Sequence, residues 1–457
     1  MMRIAILVAC ALGTGALGYG AYLLARLAPI GTAYAAKTLC SGVFVSHRAA
    51  EDVIREDIRA DNHPLLVVIR PWVEASAQQA SATFFGLARR DALFRPGLGC
   101  TLALGTVQSA ETIAANVSDA QRPDAFAPDD DTQVDRDRLK AVVDNAFGEP
   151  DPKHPRRTRA VVVLHRGGLL YERYADGFTA RTPMLGWSMT KSVTAALIGI
   201  LVREGRLSIG QDRLLPEWRG VGDPRSQIRL DHLLRMTSGL SFTENHGDPL
   251  EDVAVMLFAR RDAAGYAIDK PLSAPLGTRW SYSSGTSNIL AAIMRGTFST
   301  SADYLAFPRR ALFEPLGMRN AVLETDAAGN FLTSSYLYAS PHDWARFGQL
   351  LLQDGVWQGQ RLLPEGWVTY MSRLTPQSAR QDFGAHLWVK VPPPFDSLRR
   401  PKPALPADAF HAVGHEGQFV SVIPSRRLVV VRLGLSRGSH VWDHDAFLAK
   451  LLTNVPQ

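Results

Sequence analysis

At 457 residues, with 46% hydrophobic and 21% charged residues, the chain has the composition of a globular protein with room for one large domain or two modest ones. Neither bulk disorder nor a polytopic membrane protein is indicated. The formal charge of +6 comes mostly from scattered arginines. No Lys/Arg block interleaved with aromatics occurs, and no finger or RNP pattern, so no nucleic-acid partner is expected.

After Arg3, residues Ile4 to Ala25 carry no charge, and the length of this run suits a bilayer span. Residues 1–36 therefore read as a cleaved signal peptide or an N-terminal membrane anchor. Ala33-Tyr34-Ala35 offers a small-residue cleavage pattern before Ala36, but it lies well beyond the apolar run, which favours the anchor. Leu7-Val8-Ala9-Cys10 is no lipobox, because too little precedes it. The rest of the chain is then expected to be exported, facing the periplasm or the outside, with a secreted form if the segment is cleaved. Cys40 and Cys100 fall in the exported part, where such a pair usually forms a disulfide; two buried free thiols are the competing reading.

Residues 37–107 read as short extended segments forming a small N-terminal module. Leu65 to Trp72 is strand-like, and Thr83 to Phe94 looks like a hairpin turning near Arg89-Arg90-Asp91. Residues 108–132, with Asp129-Asp130-Asp131, look like a linker. The main domain, 133–457, starts with a helix from about Val134 to Phe147. A hairpin follows, Ala160 to His165 and Leu169 to Tyr174, turning through Arg166-Gly167-Gly168. The middle is mainly helix and loop. A second hairpin, Phe419 to Ile423 and Leu428 to Leu433, precedes a last helix around His444 to Leu452. Strands at both ends with helices between predict an α+β fold. One antiparallel sheet would carry flanking helices and a helical subdomain, with the site in the cleft between them.

Three segments carry chemistry. Ser188-Met189-Thr190-Lys191 opens an apolar helix, Val193 to Val202, that stops at Gly205. Residues three apart share a helix face, so Lys191 can reach the Ser188 hydroxyl. Burial and the positive helix end both favour a neutral amine able to accept a proton. The competing reading is an N-capping serine with a lysine reaching out to solvent. Trp280-Ser281-Tyr282-Ser283-Ser284 precedes an apolar helix, and a phenol at Tyr282 could shuttle a proton. Gly414-His415-Glu416-Gly417-Gln418 runs into a strand; its glycines would let substrate approach, and the Gln418 N–H could serve an oxyanion. Glu244 either lines the site or caps a loop.

Together these segments resemble the serine β-lactamase and penicillin-binding protein superfamily, in the class C-related branch of esterases, D-amino-acid peptidases and 6-aminohexanoate-dimer hydrolases. Leu233-Leu234-Arg235-Met236-Thr237-Ser238-Gly239, Leu312-Phe313-Glu314-Pro315-Leu316-Gly317-Met318 and Asp343-Trp344-Ala345-Arg346-Phe347-Gly348 add to the likeness, which covers residues 135 to 457. It implies Ser188 as acylated nucleophile, Lys191 as its base and Tyr282 as the second-motif phenol. Ser284 stands where class C enzymes have a substrate-contacting Asn, and His415 where β-lactamases have Lys. With a mostly neutral His in place of a fixed cation, efficient β-lactam hydrolysis is not expected.

The expected activity is cleavage of an amide, ester or peptide-like small molecule through an acyl-enzyme, without metal or organic cofactor. A D,D-carboxypeptidase or β-lactamase is the first alternative, and a catalytically silent, membrane-tethered binding protein the second. Gly434-Leu435-Ser436-Arg437-Gly438 matches a nucleophile elbow, but only about twenty residues follow it. His411 and His415 have a glycine between them and a strand after them, and Asp443-His444-Asp445 reads as a helix start, so neither is expected to bind a metal.

Overall fold

One helix runs from Met2 to Phe44 in the computed structural model. The structure describes residues 2 to 107, 126 to 129, 131, 133 to 399 and 401 to 455, without side chains for residues 2 to 19, 21 and 23. Among the described residues no helix is long and apolar enough to cross a membrane. The predicted span, 4 to 25, lies almost wholly among residues whose side chains are not described, and the predicted linker mostly outside the described residues.

The helix crosses the expected boundary at residue 36 without a break. Ile30, Thr32, Ala33, Ala35 and Ala36 are buried against a four-stranded antiparallel sheet: β1 (Ile69–Glu74), β2 (Gln79–Phe84), β3 (Leu87–Arg95) and β4 (Gly99–Leu102). A cut before Ala36 would remove part of this core. The β2–β3 turn falls at Phe85-Gly86, where both residues have positive φ, not at Arg89-Arg90-Asp91. Those charged residues sit inside β3, where Arg89 pairs with Asp91 at 2.8 Å. Leu65–Val68 is a short helical turn, and the strand begins only at Ile69.

Cys40 and Cys100 are joined in a disulfide between the helix and β4. Next to it the buried Glu324 carboxylate accepts from Ser41 Oγ at 2.8 Å and from the Cys100 N–H at 2.6 Å, and it pairs with Lys37. A buried pair of this kind contributes little net stability, but it fixes how the N-terminal helix seats on the rest of the chain.

The larger sheet is built from both ends of the main domain, as expected. β5 (Thr158–His165) and β6 (Gly168–Tyr174) come from its start. Between them and the end lie the small strands β7 (Met184–Leu185), β8 (Val322–Leu323), β9 (Leu337–Ala339), β10 (Val356–Trp357) and β11 (Gln360–Arg361). β12 (Phe410–Gly414), β13 (Gln418–Ile423) and β14 (Leu428–Gly434) come from its end. The order is β12-β13-β14-β5-β6, antiparallel throughout. Both faces are apolar with period two. Val161, Val163, Leu428 and Val430 face one core, with Leu139 and Val143 of helix Arg136–Ala146 and Leu448 of helix His444–Leu452. Val162, Leu164, Val429 and Val431 face the other, with helices Met189–Arg203 and Pro341–Leu352.

Candidate active site

Helix Met189–Arg203 has no charged residue between Lys191 and Arg203, and residues Met189 through Leu201 are buried. An all-round apolar helix must be covered on every side, and this places its first turn deep in the molecule. Ser188 stands at the N-cap, but its hydroxyl makes no capping bond. Lys191 is 2% exposed and does not reach solvent. Both features of the competing reading, a capping serine and a solvated lysine, are therefore absent.

Lys191 Nζ lies 2.9 Å from Ser188 Oγ, 3.1 Å from Ser284 Oγ and 2.9 Å from the Ser334 carbonyl oxygen. The carbonyl can only accept. Ser284 gives its own hydroxyl proton to the Glu244 carboxylate, so towards Lys191 it too must accept. A neutral amine has two N–H groups, and both are taken up by Ser334 and Ser284. Its lone pair is left facing the Ser188 hydroxyl. Burial lowers the Lys191 pKa, with Glu244 opposing, to about 8.

The half-buried Tyr282 phenol contacts the Ser188 hydroxyl, and its ring lies 4.9 Å from Lys191 Nζ. Burial raises its pKa well above the ordinary tyrosine value, so it holds its proton at neutral pH. Helix Ser284–Arg295 positions it: the cap at Ser283, whose Oγ accepts from the Thr286 N–H at 3.0 Å, fixes the preceding turn. Hydroxyl, amine and phenol thus share one site.

Glu244 reaches the site through Ser284, one of the two readings the sequence offered. Ser284 is 1% exposed, with its hydroxyl turned to Lys191 rather than to a substrate. Glu244 accepts the Ser284 N–H at 2.7 Å and lies 3.5 Å from His246 Nε2. It supports the lysine's hydrogen bonding and offers no oxyanion donor. Burial opposes its charge, but His246, Lys191 and Ser284 outweigh burial and hold the carboxyl below its usual range.

The turn His415–Gly417 meets the nucleophile's segment backbone to backbone: a Cβ on Gly414 would lie 2.2 Å from the Gly186 carbonyl oxygen. A Cβ on Gly417, at φ +83°, would lie 2.5 Å from Arg432 Nη1. Protein atoms therefore fill the space beside both glycines, so packing alone already requires them. The Gln418 side chain is tied to β14 through Gly434, with Nε2 donating to the carbonyl at 2.6 Å and Oε1 accepting the N–H at 3.0 Å. Only its backbone can serve the reaction. The His415 ring is exposed at the mouth of the site and stacks on His246 at 5.1 Å; the neighbouring protein lowers its pKa by desolvation.

Three residues to which sequence reasoning gave no role, Trp187, Glu416 and Arg437, complete this wall. Trp187, at φ +47°, holds a backbone conformation unfavourable for its type, immediately before the nucleophile. Its indole N–H donates to Glu416 at 3.1 Å, and Glu416 pairs with Arg437 at 2.6 Å. Arg437 also donates to the Asp57 carbonyl at 2.7 Å, which ties the N-terminal region to the site. No local pattern marks such contacts. Ser436 of the alternative elbow is buried beneath Arg432, 2.7 Å from its guanidinium. His411 bonds Ser421 at 2.8 Å, and Asp443 caps the last helix. Among the described residues no three His, Cys, Asp or Glu side chains cluster as a metal site.

Comparison with known proteins bears on the family and the fold. A 6-aminohexanoate-dimer hydrolase of Paenarthrobacter ureafaciens is 29% identical over 224 residues, spanning 46% of this chain and 56% of that protein. The chain thus matches little more than half the length of that relative. A Bacillus anthracis structure, provisionally assigned as a 6-aminohexanoate-dimer hydrolase, superposes with a TM-score of 0.56 at 22% identity, covering 73% of this chain and 89% of that one. A penicillin-binding protein homologue from Caulobacter crescentus superposes at 0.53 and 18%, covering 72% and 97%. The Beta-lactamase family model matches residues 139–453, from the helix before the first sheet strand to the end of the last helix, and the chain belongs to that family.

Proposed function

We propose that this chain is a serine hydrolase that cleaves an amide or ester bond through an acyl-enzyme on Ser188. The observation that carries the reading is the buried Lys191 Nζ 2.9 Å from Ser188 Oγ, flanked by two further acceptors that can hold the N–H groups of its neutral form, the Ser284 hydroxyl and the Ser334 carbonyl oxygen. Ser188 Oγ attacks the carbonyl carbon while Lys191 takes its proton. The tetrahedral oxyanion is met by the backbone N–H groups of Ser188 and Gln418. The proton passes through the Tyr282 phenol to the leaving amine or alcohol as the scissile bond breaks. Water then attacks the acyl-enzyme, losing its proton to the same relay, and the carboxylic acid departs with Ser188 restored.

A histidine at 415 in place of a lysine offers no fixed charge to a substrate carboxylate, which favours neutral esters and amides over cell-wall peptides and β-lactams. The Cys40–Cys100 disulfide supports an exported location, and the uncharged run from residue 4 to residue 25 supports an anchor.

A fluorophosphonate probe should label the wild-type chain and leave Ser188→Ala unlabelled. p-Nitrophenyl acetate turnover in that variant should fall by at least ~10³-fold. Equal labelling and turnover in both proteins would overturn the reading, and nitrocefin turnover matching that of the ester would move it to a β-lactamase.

A further inference from the structure

A cavity of about 170 Å³ opens beside Ser188 and His415, and much of its wall belongs to the N-terminal region. Leu27 and Ile30 come from the N-terminal helix and Leu66 from the turn before β1, while Val253, Leu257 and Phe258 come from helix Asp252–Ala259 across from them. The Tyr34 and Phe258 rings meet edge to face at 5.5 Å where the two helices pack. The N-terminal part of this wall lies outside the matched family region, which begins at residue 139.

We infer that this cavity is an acyl-chain pocket, and that the preferred substrate carries an unbranched aliphatic acyl group of about six carbons. The assignment rests on the proposed acyl-enzyme chemistry. Tyr282 delivers the proton to the leaving group, so the leaving group departs on the phenol's side. The cavity is lined by Ser188 but by neither Tyr282 nor Lys191, so it lies on the acyl side. Its size sets the chain length: an apolar cavity of ~150 Å³ accommodates benzene, a six-carbon group. Its lining sets the chemistry. The lining is mainly apolar, with residues such as Leu27, Ile30, Val253 and Leu257 outnumbering the polar Asn62, His63, His246 and Glu416, so an aliphatic acyl group is favoured over a strongly polar one. The cavity is open and not enclosed, so longer chains extend beyond it into solvent.

The test is kcat/KM of the full chain for p-nitrophenyl acetate, butanoate, hexanoate, octanoate and dodecanoate. Burial of each methylene is worth about fourfold, so the value should rise from acetate to hexanoate by at least tenfold and rise no further beyond octanoate. Ala254→Phe and Leu27→Trp, which fill the cavity from opposite walls, should each lower the hexanoate-to-acetate ratio at least tenfold. A flat profile in the wild type, or an unchanged ratio in both variants, would overturn the pocket while leaving the Ser188 chemistry standing. Absence of Ser188-dependent turnover of every ester would overturn both.

Discussion

Glu244 holds Ser284 from two sides, one carboxylate oxygen accepting its N–H at 2.7 Å and the other its hydroxyl. This arrangement turns Ser284 into an acceptor for Lys191, and the negative charge of Glu244 favours the lysine's protonated form. The same residue therefore orients the base and restrains its deprotonation.

A pH dependence follows. The lysine acts as a base only when neutral, so kcat/KM for an uncharged ester should rise about tenfold per pH unit below pH 8 and level off above it. Glu244→Gln keeps an acceptor for Ser284 but removes the charge. The rising limb should then move to lower pH, whereas a carboxylate acting only on packing would leave it in place. Stability should follow the same group. The folded pKa lies below that of an unfolded lysine, so the unfolded chain binds more protons between the two values. The cost of a buried ammonium is present in full below about pH 8 and is relieved as pH rises above it. Urea midpoints measured from pH 7 to 10 would show that rise.

Tyr282→Phe should lower kcat by ~10²–10⁴-fold, the usual worth of a positioned acid or base, with a smaller effect on KM. Because the phenol protonates the leaving group, the loss should be greater for an alkyl ester than for a p-nitrophenyl ester, whose leaving group needs no proton. Equal losses on both substrates would count against the relay.

Arg437 and Glu416 are both nearly buried, and Arg437 also caps carbonyl groups near Asp57. Removing one partner leaves the other charge uncompensated, so Arg437→Met should cost about 3–5 kcal/mol in denaturant unfolding. Burial opposes ionisation of Glu416, yet Arg437 outweighs it. Adding Glu416→Gln to Arg437→Met should therefore recover part of the loss. A double variant less stable than the single one would argue against a paired charge.

The Cys40–Cys100 bond closes a loop with a sequence separation of 60. In the chain-entropy account a cross-link of this span is worth ~4 kcal/mol. Cys40→Ser with Cys100→Ser should lower the urea midpoint, and the wild type in reducing agent should approach the variant. The hexanoate preference should weaken as well, since the N-terminal helix lines the cavity.

The main-domain hairpins and the last helix are legible in the sequence, because alternation and turn residues act on near neighbours. The spacing from Ser188 to Lys191 likewise places both on one helix face. The β2–β3 turn is less legible: the charged Arg89-Arg90-Asp91 cluster has the look of a turn, while the tighter Phe85-Gly86 pair makes it. For a similar reason the sequence leaves open whether Glu244 lines the site or caps a loop, and does not tell where the Ser284 hydroxyl turns. A single segment cannot reveal that a carboxylate 40 residues away takes the serine's proton.

The amino-acid order alone determined the chemical types available and the local elements that carry them: a serine and a lysine on one helical turn, a tyrosine before a second helix, and a glycine-bounded turn into a strand. Tertiary structure decided which acceptors hold the lysine's hydrogens and which residues enclose the space beside the serine. It brought Trp187 to Glu416 across 229 residues and Lys37 to Glu324 across 287. Contacts over such distances depend on how whole elements pack, and packing responds to the shape and burial of surfaces that no short stretch of sequence contains.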